Sequence, residues 1–136
     1  VDNKIEEIEK TTISEIFKIN GEKYFRKLEE YTTINYLKLE NKIISLGGGG
    51  FINPKIRKQT IKNCISVWLN WKDETLLERI KNSNKRPLAM KLAKSQLKTL
   101  IIERSKIYNT SNLKINCDNL DKNQIADKIA KYYENN

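Results

Sequence analysis

"IISLGGGG", residues 43–50, runs a short apolar, β-branched stretch straight into four consecutive glycines, in a chain of 136 residues with only five glycines in all. Glycine loses more conformational freedom on ordering than any other residue. Such a run is therefore either slack linker or backbone that something must approach closely. The apolar lead-in, Ile43 to Leu46, argues against linker. So does Asn53-Pro54 just downstream, which reads as a helix start with Asn as cap and Pro at the first helical position. Strand, glycine turn, helix is the order in which open α/β sheets hold ligands at the carboxyl ends of their strands. A ligand-facing loop is the favoured reading, and a tight βα turn that tolerates extra glycine is the other. The stretch alone names no ligand.

Outward from this turn, periodicity divides the chain into alternating elements. Ile5 and Ile8 have helical spacing within residues 3–10, and Thr12 with Glu15 forms a capping box that opens a second helix through about Ile19. Asn20-Gly21 breaks it. Phe25, Leu28, Tyr31 or Thr32, Tyr36 and Leu39 predict a long amphipathic helix from Glu22 to about Leu39. Residues 43–46 predict a strand and 54–62 a helix, followed by a buried strand at 64–70 and a helix capped by Asp73. Residues 84–94, interrupted by Pro87, predict a mobile loop. A helix at about 95–109, a third strand at 113–117 and a terminal helix complete the chain. Strands that alternate with helices predict a parallel sheet covered on both faces, an α/β fold in one domain. Three strands make a thin sheet for so many helices.

Bulk composition narrows the chemistry. A length of 136 residues suits one domain, and 38% hydrophobic against 32% charged residues predicts a modest core. No stretch approaches the ~18 apolar residues that span a bilayer, and no signal-peptide pattern opens the chain; a cytoplasmic protein is expected from the cysteine usage. The chain has no histidine, which excludes histidine acid–base chemistry and histidine metal ligation. Cys64 and Cys117 lack metal-ligand spacing and read as reduced residues buried in strands. The net charge of +9 is spread over nearly every segment and mixed with acidic residues. With no basic stripe interleaved with aromatics, nucleic acid is a weaker reading than a small anionic ligand.

Candidate ligand groups gather where such a fold exposes its strand ends: Asp2 before the first helix, Arg26 beside Phe25, the turn Gly47–Gly50, Arg79, Arg86 and Arg104. In a lysine-rich chain the few arginines stand out, because arginine grips carboxylate and phosphate through two parallel hydrogen bonds. Any one of them alone reads as a solvated ion pair. Together, beside a glycine turn and a proline-containing loop, they read as an anion pocket.

Five blocks bring these residues to a known family. They are D-x-x-I-E (Asp2, Ile5, Glu6), I-x-E-I-F-x-x-x-G-E-x-x-F-R-x-x-E (Ile13–Glu29), SLGGG (Ser45–Gly49), RPL (Arg86–Leu88) and E-R-x-x-x-Y (Glu103–Tyr108). In order and spacing, over essentially the whole chain, they resemble shikimate kinase. The resemblance implies a nucleoside-monophosphate-kinase-like three-layer α/β/α fold. It also implies transfer of the ATP γ-phosphate to the 3-hydroxyl of shikimate with Mg²⁺, in aromatic amino-acid biosynthesis. It makes residues 1–136 one domain, with a shikimate-binding region at about 2–50 and a lid at about 84–94.

By the same resemblance Asp2 orients or deprotonates the nucleophilic hydroxyl, and Arg26 and Arg104 clamp the shikimate carboxylate. Gly48 and Gly49 bring bare backbone to the ring hydroxyls. Arg86 reaches the transferring phosphate and Arg79 lies over adenine. Phosphoryl transfer asks mainly for positioning and charge neutralisation, which arginines supply. The implied partners are shikimate and ATP, with no nucleic acid and no membrane, on a monomer. No residue is assigned to metal.

The departures matter as well. The family opens with a strand and G-x-x-x-x-G-K-[ST], which nothing here matches. The first aspartate of its D-x-D pair would fall just before Val1. The expectation is a chain that lacks the central first strand and its phosphate loop and is inactive by itself. A gluconate kinase of the same fold and a non-catalytic basic RNA- or protein-binding module are the alternatives.

Overall fold

The structure, a computed structural model, describes residues 1–81 and 92–136. Most of the expected lid at 84–94, Arg86 included, lies outside the described residues. Packing divides the chain into two compact units, Val1–Cys64 and Ile65–Asn136, each described by itself. No helix among the described residues is long and apolar enough to cross a membrane.

The first unit is helical, with α1 (Asp2–Glu9), α2 (Ile13–Ile19), α3 (Gly21–Tyr36) and α4 (Pro54–Asn63). Local chemistry sets these boundaries where the residues predicted them. The Thr12 hydroxyl accepts from the Glu15 amide at 3.2 Å, and the Asn53 side chain accepts from Lys55 and Ile56 with Pro54 opening α4. Gly21 turns the chain between α2 and α3 at φ +80°, a conformation that strains any side chain. Ile5, Ile16 and Phe25 form the core, with Phe17 tilted against Phe25 at 4.7 Å between ring centroids. α3 stops at Tyr36 rather than Leu39. Leu39 is half exposed, so it has no buried face to extend the helix, and the last turn tightens through Lys38 and Leu39 amides bonded three residues back.

Residues 43–46, expected as a strand, run extended and join no ladder among the described residues; Ile43 is fully exposed. β-branched residues favour a pleated surface only where a neighbouring strand supplies it, and the described part of this unit contains no strand. Among the described residues the sheet therefore has two strands, not three. Both lie in the second unit, which comprises β1 (Val67–Asn70), α5 (Asp73–Lys81), α6 (Lys94–Tyr108), β2 (Leu113–Asn116) and α7 (Lys122–Glu134). β1 pairs with β2 in parallel, Val67 opposite Leu113 and Asn70 opposite Asn116.

β1 starts later than residue 64, because Cys64 caps the end of α4 and is half-buried there. Cys117 is fully buried just past β2, so neither cysteine lies within a strand, and both are free thiols. Ser66 and Asn112 fasten the start of the strand pair, the Ser66 hydroxyl donating to Asn112 Oδ1 at 2.6 Å. One core cluster, Ile115, Cys117 and Ile125, gathers Val67, Trp71 and Leu120; another joins α5 to α6 through Leu77, Ile80, Leu97 and Ile101.

The helix α5 corrects one expectation. Asp73 is its first residue, not its cap. The work assigned to Asp73 is done by Asp118, whose carboxylate accepts from the Lys72 amide at 2.8 Å and the Thr75 hydroxyl at 2.9 Å. Burial pushes Asp118 toward protonation, but the Thr75 and Lys72 hydrogen bonds and the Lys72 charge outweigh it and hold the carboxyl below its ordinary pKa. A depressed folded pKa stabilises the fold above the ordinary carboxylate range, and that stabilisation is lost as pH falls through the folded value. Asp118→Asn should therefore lower the Tm at pH 7 by a few degrees and flatten its fall below the ordinary carboxylate range, whereas Asp73→Asn should leave the Tm at pH 7 near the parent's. Thermal melts followed by circular dichroism from pH 7 downward check both outcomes.

Candidate functional site

The first unit brings together Asp2, Arg26 and the glycine turn, residues up to 48 positions apart in sequence. Asp2 is the first residue of α1, and Arg26 is on α3. A Cβ added at Gly47 would lie 3.1 Å from Asp2 Oδ1 and 3.4 Å from Glu29 Oε1, and one added at Gly49 would lie 2.4 Å from Arg26 Nη1. At Gly49 the Arg26 guanidinium already occupies the space of a side chain, so a Cβ there would displace it. The protein group nearest this part of the backbone is Arg26.

Arg26 is held from its own helix. Nη1 donates to Glu29 Oε2 at 2.6 Å, Nε reaches Glu22 Oε1 at 3.4 Å, and the guanidinium lies 5.4 Å from the centre of the Phe25 ring. Glu29 is buried, its side chain 3% exposed, whereas that of Arg26 keeps 31% of its surface. The two sit at i and i+3, the spacing that places side chains on one helix face, and that spacing was the sequence signal by which Glu29 could have been singled out.

Three further residues that the sequence reading passed over fasten the turn. Arg57 Nη1 donates to the carbonyls of Phe51 at 3.1 Å and Ile52 at 2.9 Å, gripping the 3₁₀ turn Gly50–Ile52. Glu30 accepts from Asn53 Nδ2 and Lys55 Nζ, each at 2.8 Å, tying α3 to the start of α4. These bonds, the Lys55 one foremost, hold the Glu30 carboxyl below its ordinary pKa. Arg26, Lys23, Lys27, Glu22, Glu30 and Asn53 line an open depression beside the turn. The cations Lys23, Arg26 and Lys27 share this lining with the carboxylates Glu22 and Glu30, so it offers an anionic ligand a small excess of positive charge around a half-buried arginine.

The other sequence candidates lie in the second unit. Arg79, on α5, places its guanidinium carbon 3.7 Å from the centre of the Trp71 ring, and Arg104 is half-buried on α6. Gly48 lies in the exposed part of the glycine turn. Arg86 is outside the described residues. Among the described residues no group of three or more Cys, Asp or Glu side chains is placed to hold a metal ion.

The family model described as shikimate kinase matches residues 1–134. The chain is 36% identical over 129 residues to a shikimate kinase of Sulfurihydrogenibium sp., covering 95% of this chain and 77% of that protein. It is 34% identical over 135 residues to one from Bartonella quintana, covering 98% of this chain and 64% of that protein, so it spans less than two thirds of this relative's length. Among solved structures, shikimate kinase from Aquifex aeolicus superposes with a TM-score of 0.84 at 30% identity, covering 98% of this chain and 79% of that one. Carrying that fold, a parallel α/β arrangement, and that family's sequence over nearly all its length, the chain belongs to the shikimate kinase family.

Proposed function

We propose that this chain carries the shikimate-binding part of a shikimate kinase, which transfers the ATP γ-phosphate to the 3-hydroxyl of shikimate. The observation that supports it most is the Arg26 guanidinium, locked by buried Glu29 against Gly49 in the same unit as Asp2. With Nη1 engaged by Glu29, Arg26 keeps N–H donors for a planar carboxylate. The Arg26–Glu29 pair is neutral overall, so a ligand anion needs a further cation. Arg104 is proposed for that place. The Asp2 carboxylate accepts the proton of the reacting hydroxyl or orients it, which aims the oxygen lone pair at the phosphorus.

In the same proposal Gly48 and Gly49 face the ring hydroxyls, Arg79 lies over adenine, and Arg86, from a lid at about 84–94, meets the charge of the transferring phosphoryl group. Mg²⁺, arriving with ATP, would supply charge neutralisation at the transferring phosphate, and no residue of this chain is proposed to hold it. Residues 1–136 form one shikimate-kinase-like domain of a monomeric cytoplasmic protein serving aromatic amino-acid biosynthesis.

Two substitutions test the carboxylate clamp, read by calorimetric titration of shikimate. Arg26→Ala should weaken binding by ~2–4 kcal/mol, because a charge-assisted hydrogen bond is lost and an anion left unpaired. Unchanged affinity would remove Arg26 from the site.

Gly49→Ala separates binding from folding. Its methyl group meets the end of a flexible side chain, so Arg26 swings aside while the backbone stays. The expected result is at least about a tenfold loss of shikimate affinity with a Tm change of no more than a few degrees. Parent-like affinity in Gly49→Ala would show that the position of Arg26 against the turn is not needed.

A further inference from the structure

We infer that Trp71 positions Arg79 as a flat stacking platform for a purine base at the carboxyl end of the sheet. The inference rests on the reading that Arg79 lies over adenine, and adds the residue that would make that arrangement work in this chain. The indole is fixed from below and beside. Trp71 is half-buried against the cluster of Ile115, Cys117 and Ile125. The residues on either side of it are tied to the end of β2, the Asn70 carbonyl accepting from the Cys117 amide at 2.9 Å and the Lys72 amide donating to Asp118 at 2.8 Å. Thr75, one turn into α5, is bonded to the same carboxylate.

Over this fixed ring the Arg79 guanidinium lies at 3.7 Å, the distance of face-to-face contact. Arg79 as a residue is exposed. The guanidinium thus sits over the indole at contact distance while the residue as a whole stays open to solvent. Its charge is also felt at the strand end, where it opposes the burial that pushes the Cys117 thiol up. In an α/β sheet this end is where ligands collect.

A long arginine side chain samples many rotamers, and stacking on an immobile ring holds it in one before a base arrives. A guanidinium plane so held offers an aromatic base a surface to stack on. A two-ring purine covers more of that surface than a pyrimidine. Stacking reads the π face rather than the hydrogen-bonding edge, so adenine and guanine should be weakly distinguished.

Equilibrium dialysis of ADP against the full chain tests this, with shikimate affinity and a thermal melt as controls for each variant. Arg79→Ala and Trp71→Leu should each weaken ADP binding about five- to tenfold, with shikimate affinity unchanged. Leucine keeps the apolar packing but lacks a π face, so a purely structural role for Trp71 would leave Trp71→Leu parent-like. Trp71→Phe should restore ADP binding to within about twofold of the parent. The double variant Trp71→Leu/Arg79→Ala should be no weaker than Arg79→Ala alone, and GDP should bind within a few-fold of ADP while CDP binds more weakly.

Parent-like ADP binding by Trp71→Leu overturns the inference, as does a further loss in the double variant. If Arg79→Ala binds ADP like the parent, or the parent shows no saturable ADP binding, the adenine reading itself falls and the inference with it. Near-UV circular dichroism separates the two failures. With Trp68 replaced by Phe, Arg79→Ala should alter the Trp71 band, and an unaltered band means that the stack is absent in solution whatever ADP does.

Discussion

Glu29 is almost wholly withdrawn from water, and its carboxylate meets the Arg26 guanidinium at 2.6 Å. A buried carboxylate without a partner is expensive, so this pair holds the α3 face in one arrangement. The guanidinium it holds lies so close to Gly49 that a Cβ there would push it aside, so glycine at 49 keeps the arginine in place. Glu29 also approaches Gly47 from the same side as Asp2. Helix, turn and the first residue of α1 are thus organised around one ion pair. Removing Arg26 would do more than delete a ligand contact, because it would leave the buried Glu29 carboxyl without its ion-pair partner.

The turn is also fastened from its far side. Arg57 grips the 3₁₀ carbonyls, and Glu30 holds Asn53 and Lys55 at the head of α4. An exposed ion pair such as Glu30–Lys55 contributes little stability by itself. Its value here is geometric, since the Asn53 that Glu30 holds is also the cap of α4 and the last residue of the turn's connection. In the second unit Asp118 has the corresponding part, joining the end of β2 to the start of α5 through Lys72 and Thr75. Each unit therefore fixes a loop by a carboxylate that belongs to a distant part of the chain.

Which elements were legible in the residues follows from the range of the interaction that sets them. The Thr12 cap, the Asn53-Pro54 start and the Gly21 break depend on neighbours within three or four positions, and the structure places them as expected. Asp73 looked like a cap by the same local logic, but Asp118, 46 residues beyond Lys72, takes the amide. The stretch 43–46 has strand chemistry, yet pairing needs a second strand, and no local property of Ile43 or Ile44 supplies one. The parallel register of β1 and β2 likewise comes from Ser66 and Asn112 meeting across the fold.

For the site, residue types and order were enough to bring Asp2, Arg26, the glycines and the remaining arginines to one family, because charge-bearing residues at fixed spacing survive in the sequence itself. What they could not show is what each one touches. Four adjacent glycines say that something comes close to the backbone. That the closest approach is the protein's own Arg26, aimed by a buried Glu29 three residues along the same helix, depends on α3 lying against the turn. Likewise Trp71 and Arg79 are eight positions apart on a loop and a helix, and the packing of Trp71 on Ile115, Cys117 and Ile125 sets the indole where the guanidinium lies over it. Sequence determined the family and the chemical inventory, since both are local and ordered along the chain. Tertiary structure decided the contacts, because the burial that makes a charge seek a partner exists only once distant segments have packed.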